Sequence, residues 1–210
     1  MDALLESLYQ SKLIAILRGV PNDRAVDTVR ALCAGGIRFA EITFDQRNPP
    51  CAAMAIHMLA RQELVCVGAG TVMTPGQVDM AADAGARYII SPNVDAAVIE
   101  RTHKRGLLSI PGAFTPSEVA EAYKYGADVV KLFPADSLGT AYVRALLGPY
   151  AHIPLAAVGG IDARNVRAFL DAGCVCAGVG GSLVDRKAIF SGRYDVLTEK
   201  AHALCAAAGV

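Results

Sequence analysis

Apolar and polar positions alternate along this chain in one repeated phrase: a helical stretch ends in glycine, and a short, continuously apolar run follows. The phrase recurs as AGGIRFAEITF, AGARYIISP, YGADVVKLFP and AGCVCAGVGG, with Gly36, Gly85, Gly126 and Gly173 just past the helical part, where a left-handed backbone is needed. Eight such runs predict strands at 13–18, 39–44, 64–69, 87–91, 107–111, 128–133, 154–158 and 175–180. Their starts lie roughly 20 to 26 residues apart, which leaves room for one helix and two loops each time. Unbroken apolar runs, in place of alternating ones, mark strands covered on both faces, as in a parallel sheet. Thr74-Pro75-Gly76-Gln77 and Thr115-Pro116-Ser117-Glu118 read as capping boxes, and Asp162 as the cap of a helix containing Val166 and Phe169. Helices over 2–10 and about 194–207 complete the pattern. Eight strand–helix units in succession predict an α/β fold, a single-domain (β/α)8 TIM barrel over residues 1–210 with an N-terminal helix. The alternative, an open doubly wound sheet, would carry a glycine fingerprint after strand one, and LRGVPNDRA supplies a single glycine.

Composition sharpens this picture. Hydrophobic residues make up 53% of the chain and aromatics only 6%, so the core must be built from Ala, Val, Ile and Leu. Lys+Arg and Asp+Glu number 20 each, and a net charge of zero offers no long-range attraction to nucleic acid or to an anionic membrane. Any anion must be held by locally placed groups. No run approaches the roughly 20 apolar residues that cross a bilayer, and MDALLESLYQSK lacks the basic-then-apolar order of a signal peptide, so a cytoplasmic location is expected. The six cysteines and four histidines are scattered, and Cys174 and Cys176 are separated by one residue; reduced, mostly buried thiols and no metal site are expected.

Three charges stand out against the apolar strands. The first strand ends in Arg18, the second holds Glu41, and the sixth holds Lys131. A charge on the outer face would press against the helix layer, so these side chains are expected to face the barrel axis, where Lys131 and Glu41 share one interior. A structural ion pair is the plain alternative, although such a pair adds little stability once desolvation is counted. The chemical reading uses the surroundings: Val129, Val130, Leu132 and Phe133 withhold water from the ammonium, and Arg18 adds like charge. Both effects expose a nucleophilic lone pair that can attack a ketone to form an iminium, with Glu41 moving protons. Beyond strands seven and eight, AVGGID and GVGGSLV present Gly159, Gly160, Gly180, Gly181 and Ser182, whose backbone N–H groups suit a phosphate, although tight turning alone also calls for glycine. Thr71, closing GAGT, either offers a hydroxyl to a substrate carboxylate or caps the next turn.

Taken in order, AILRG, EITF, GAGTV, ISPN, PGAFTP, KLFPAD, VGGI and GGSLV resemble the class I 2-keto-3-deoxy-6-phosphogluconate (KDPG) / 4-hydroxy-2-oxoglutarate (KHG) aldolases, over about residues 12 to 190. The resemblance implies a homotrimeric barrel that needs no metal or cofactor and cleaves a 2-keto-3-deoxy-6-phospho sugar acid to pyruvate and glyceraldehyde 3-phosphate. It implies Lys131 as the Schiff-base lysine and Glu41 as acid/base. Arg18, Thr71 and Pro92 would line the pyruvate side, Phe133 would pack beside the lysine, and Gly159, Gly160, Gly181 and Ser182 would hold the phosphate. Two departures from the family pattern bear on substrate. Ala157-Val158-Gly159-Gly160 stands where many phosphogluconate enzymes read Pro-Thr-Gly-Gly, and the valine form also occurs in 6-phosphogalactonate aldolases, which differ in C4 stereochemistry. Asp45 stands where some members carry Arg or Asn, leaving Arg18 as the better carboxylate partner. A phosphosugar epimerase or isomerase would need a second acid/base opposite Glu41, and a non-catalytic phosphosugar binder would keep its affinity without Lys131.

Overall fold

The structure is a computed structural model that describes residues 3–210, so the first residue of the helix expected over 2–10 lies outside the described residues. Helix α1 (Ala3–Ser11) leads into β1 (Leu13–Leu17), after which helices and strands alternate: α2 (Asn22–Ala34), β2 (Phe39–Thr43), α3 (Pro49–Ala60), β3 (Cys66–Gly70), α4 (Pro75–Asp83), β4 (Tyr88–Ile90), α5 (Ala96–Lys104) and β5 (Leu108–Ile110). The second half continues with β6 (Gly112–Ala113), α6 (Pro116–Lys124), β7 (Val130–Leu132), α7 (Ala135–Tyr150), β8 (Leu155–Val158), α8 (Val166–Asp171), β9 (Cys176–Val179), α9 (Arg186–Phe190) and α10 (Tyr194–Ala208).

All strand pairs are parallel, in the order β5-β4-β3-β2-β1-β9-β8-β7-β6, a nearly closed (β/α)8-like barrel forming a single domain. The expected strand over 107–111 holds β5 and stops at Pro111, which has no N–H to give the ladder, and a further short strand, β6, follows it. β5 pairs with β4 and β6 with β7, while the Pro111 carbonyl still accepts from Lys131 N at 2.9 Å and spans the break. Gly36, Gly85, Gly126 and Gly173 all take φ between 100° and 114°, the conformation their places after helices require.

Alternation along each strand divides the core in two. Ala40, Ile42, Val130 and Leu132 face the helices, whereas Phe39 and Val129 point inward with Ile14, Tyr88, Ile110 and Cys176. Leu8 of α1, 1% exposed, closes the N-terminal end of this inner cluster with Leu4 and Leu5 packed beside it. The C-terminal end of the strands is therefore where the interior opens.

Capping follows the sequence in one case and departs from it in two. Thr115 and Glu118 form the complete box at α6. At α4 the Thr74 hydroxyl accepts from Gln77 N, but the Gln77 side chain reaches one residue further back, to Met73 N at 2.7 Å. Asn165 occupies the N-cap position of α8; Asp162 instead heads the preceding turn, its Oδ1 accepting from Arg164 N at 2.8 Å. The cysteines are all free thiols, with Cys174, Cys176 and Cys205 buried, Cys33 and Cys66 half-buried and Cys51 exposed, a more even spread than expected. Among the described residues, no helix is long and apolar enough to cross a membrane.

Candidate active site

The open end of the barrel holds a cavity of about 370 Å³. Lys131 and Glu41 stand on opposite walls of it. In the ring order β2 and β7 are separated by β1, β9 and β8 one way and by β3, β4 and the broken strand the other, so they lie across the barrel from each other. Strand alternation turns both side chains inward, the face that Phe39 and Val129 share. Glu41 is 2% exposed and Lys131 6% exposed. The Glu41 carboxylate accepts from the Thr43 hydroxyl at 3.1 Å, two residues along on the same face, and makes no ion pair with Lys131 among the described residues. The gap between amine and carboxylate is room for a substrate or a water.

Burial lowers the Lys131 amine below the ordinary lysine value; Glu41 pulls it back part of the way, and Arg18 adds to the lowering. Burial likewise raises the Glu41 carboxyl above the usual carboxylate range, against Lys131, the Thr43 hydroxyl and Arg18. The desolvation comes from the interior layer and the Phe133 ring, whose centroid lies 4.6 Å from Lys131 Nζ. Val130 and Leu132, expected to shield the amine, belong to the outer layer and point away from it. Two glycines make space for this arrangement. A methyl group at Gly70 would overlap the Glu41 carboxylate, and one at Gly112, the register partner of Lys131, would run into the Pro92 carbonyl.

The remaining expected residues fall into two groups. Arg18, Phe133, Gly159, Gly160, Gly181 and Ser182 line the cavity. Thr71 and Pro92 do not. Thr71 lies behind Arg18, whose Nη2 donates to its hydroxyl at 3.4 Å, and among the described residues it caps no turn. Its φ of 55° is unusual for a β-branched residue, and its carbonyl is held by Gln46 Nε2 at 2.8 Å. Pro92 stands one layer back, against Gly112. Arg18 itself is exposed just past β1 and is a rim group, not an interior charge. Asp45 is turned toward Arg47, accepting from its N at 2.9 Å, and lies outside the lining.

At the far wall, Gly160 has φ of 70°, and any side chain there would strike the Asp136 carboxylate. Nothing lies within 4 Å of where a Gly181 side chain would be, so that backbone is bare toward the cavity. The Ser182 hydroxyl donates to the Ile161 carbonyl at 2.8 Å and links the two glycine turns. Among the described residues the N–H groups of Gly160, Gly181 and Ser182 donate to no protein group. Sequence reading missed Ile16 and Gly178 as lining and Thr43 as the partner of Glu41, whereas Val158, singled out for its bearing on substrate, does line the cavity. Their period-two placement relative to known inward residues was the available signal.

An amine biased toward its neutral form, a carboxyl biased toward protonation and a rank of bare N–H groups thus share one cavity. The family model described as "KDPG and KHG aldolase" matches residues 4–200. The chain belongs to that aldolase family. It is 37% identical over 180 residues to the 2-dehydro-3-deoxy-6-phosphogalactonate aldolase of Escherichia coli K12, covering 83% of this chain and 86% of the relative. It is 35% identical over 201 residues to the 2-dehydro-3-deoxy-phosphogluconate aldolase of Treponema pallidum, covering 94% of each. Among solved structures, the KDPG aldolase of Legionella pneumophila, with pyruvate captured as a covalent carbinolamine, superposes with a TM-score of 0.88 at 28% identity, over 97% of this chain and 99% of that one. This aldolase-family barrel is thus similar to members named for either C4 epimer.

Proposed function

We propose that this protein is a class I aldolase that reversibly cleaves a 2-keto-3-deoxy-6-phospho sugar acid to pyruvate and glyceraldehyde 3-phosphate. The observation that carries the reading is the buried amine of Lys131 facing the Glu41 carboxyl across a cavity whose other wall is bare backbone. The neutral Lys131 amine adds to the C2 ketone, giving a carbinolamine. Glu41, directly or through a water, delivers the proton that lets hydroxide leave as water, and an iminium remains. Loss of the C4 hydroxyl proton to the same carboxylate breaks the C3–C4 bond; the bonding pair moves into the iminium as an enamine, and the aldehyde departs. Protonation at C3 and hydrolysis release pyruvate and restore the amine. Arg18, with Thr71 behind it and Pro92 on the same side, receives the carboxylate. Phe133 packs beside the lysine, and Gly159, Gly160, Gly181 and Ser182 hold the phosphate.

Substrate choice rests on Val158, whose side chain lines the cavity without a hydroxyl. The 2-keto-3-deoxy-6-phosphogluconate series is the main reading, and the phosphogalactonate epimer, favoured by the relatives that bear its name, is the second. We further place the enzyme in the cytoplasm as a homotrimer. A solved cage built from "symmetric oligomeric domains" matches this fold with a TM-score of 0.83, and light scattering at three times the 21.9 kDa chain mass tests the assembly. Borohydride reduction with pyruvate should add a pyruvate-derived mass at Lys131 and none in Lys131→Met. An unmodified Lys131 in the native protein refutes the mechanism. Pyruvate release from the two phosphorylated epimers and from 4-hydroxy-2-oxoglutarate, side by side, ranks the substrates.

A further inference from the structure

Beside the main cavity lies a second recess of about 540 Å³ that shares Ile16, Arg18 and Gly181 with it as lining. Its remaining walls bring Arg186 and Lys187 of α9 next to Arg18. Among the described residues none of these three cations takes part in an ion pair. The one acid bordering the recess, Asp185, is already committed: its carboxylate takes Lys200 Nζ at 2.7 Å and caps α9 through Lys187 N at 2.9 Å and Ala188 N at 3.2 Å. On the other side of the cavity, Asp162 is likewise held, by Arg164 Nη2 at 2.6 Å, and Asp136 sits behind Gly160. In a chain of zero net charge, the recess is thus a local excess of positive charge.

The Arg186 guanidinium lies 5.8 Å from the Phe190 ring centroid and close to Gly19, within ordinary contact distance of where a side chain there would begin. Gly181 is the common border: its bare backbone faces the main cavity on one side and the cationic recess on the other. A phosphate seated on Gly181 and Ser182 N–H groups would therefore have an unpaired cation on the adjoining wall, and a planar guanidinium suits phosphate oxygens better than an ammonium does.

We propose that Arg186, supported by Lys187, is the side-chain half of the phosphate subsite and sets this enzyme's preference for phosphorylated over unphosphorylated 2-keto-3-deoxy acids. The proposal rests on the aldolase reading above. The test compares native protein, Arg186→Met, Arg186→Lys and Lys187→Met by kcat/KM on phosphorylated and unphosphorylated substrate, by inhibition with inorganic phosphate, and by borohydride trapping of pyruvate. Arg186→Met is expected to lose about tenfold on the phosphorylated substrate and at least fivefold in the ratio between the two, with weaker phosphate inhibition; Arg186→Lys recovers part of the loss, and Lys187→Met shows a smaller shift in the same direction. Equal loss on both substrates, or an unchanged ratio in every variant that still traps pyruvate, overturns the proposal alone. A native protein that traps no pyruvate at Lys131 overturns the aldolase reading and takes this proposal with it.

Discussion

Gly70→Ala probes the site without removing any functional group. Gly70 sits on β3, register partner of Thr43 and Ile90, and its backbone is ordinary strand, so alanine is conformationally acceptable and by itself gains about 0.5–1 kcal/mol. The added methyl, however, would occupy the place of the Glu41 carboxylate. Glu41 is walled in by the interior layer and tied to Thr43, so it must swing by more than an ångström or displace the strand. Overpacking of this kind costs about 1–3 kcal/mol, which leaves a net destabilisation of roughly 0–2.5 kcal/mol. A displacement of that size in a proton-transfer group costs on the order of 10²-fold in rate, about 2.7 kcal/mol of barrier. The assay is kcat/KM for pyruvate release, paired with urea unfolding. Gly68→Ala is the control: its methyl would strike the Tyr88 ring, deeper in the interior, and should affect stability more than turnover. Glu41→Asp in the Gly70→Ala background shortens the acid away from the methyl, so the double variant should be more stable than Gly70→Ala alone. Turnover of Gly70→Ala within threefold of native would refute the tight placement of Glu41.

Thr43→Val removes a hydrogen bond that holds the Glu41 carboxyl down, so the Glu41 value rises further above its ordinary range and the acid limb of the kcat/KM profile should move to higher pH; an unmoved limb in a pH–rate series counts against Glu41 as the titrating group. Raised in the folded state, Glu41 makes its stabilising contribution fully below its unfolded value and loses it as pH rises through the folded one, so Glu41→Gln should gain stability relative to native at pH 8 and not at pH 4, measured by urea unfolding. Val158→Thr restores a hydroxyl to the cavity wall and should shift the ratio of the two C4 epimers by about fivefold, the worth of one hydrogen bond near 1 kcal/mol, read by competitive pyruvate release. Thr115→Ala breaks the one complete capping box and should cost about 1 kcal/mol in thermal or urea unfolding with kcat unchanged.

The strands were legible because a barrel strand must be apolar on both faces, and the helix ends because a positive φ demands glycine. The strand end at Pro111 was legible, since a proline cannot donate to a ladder, but the two-residue β6 beyond it is too short to show as an apolar run of its own. Arg18 shows the limit of boundary reading: one residue past the end of β1, it is a rim cation where the sequence suggested an interior one. The Lys131–Glu41 opposition followed from the fold, but the contacts that set their chemistry did not. Thr43 bonding Glu41, Gly70 lying beneath that carboxylate and Gln77 reaching Met73 in place of its own cap depend on how strands and loops meet in space, and no local pattern encodes that.

The same division explains why this barrel tolerates two buried charges. One end of the interior is sealed by Leu8 and its neighbours over Ile14, Phe39 and Val129, and this layer contributes the desolvation that lowers the Lys131 amine below the ordinary lysine value. The other end is bare backbone and open cavity. A one-residue slip of β2 or β7 would turn Glu41 or Lys131 into the apolar helix layer, among Ala40, Ile42, Val130 and Leu132. Register, fixed by the apolar layer below, is therefore what holds the buried amine and carboxyl face to face. Replacing that pair with Val and Ile would remove the desolvation cost, so the proposed amine chemistry, and not stability, accounts for two charges kept at this depth.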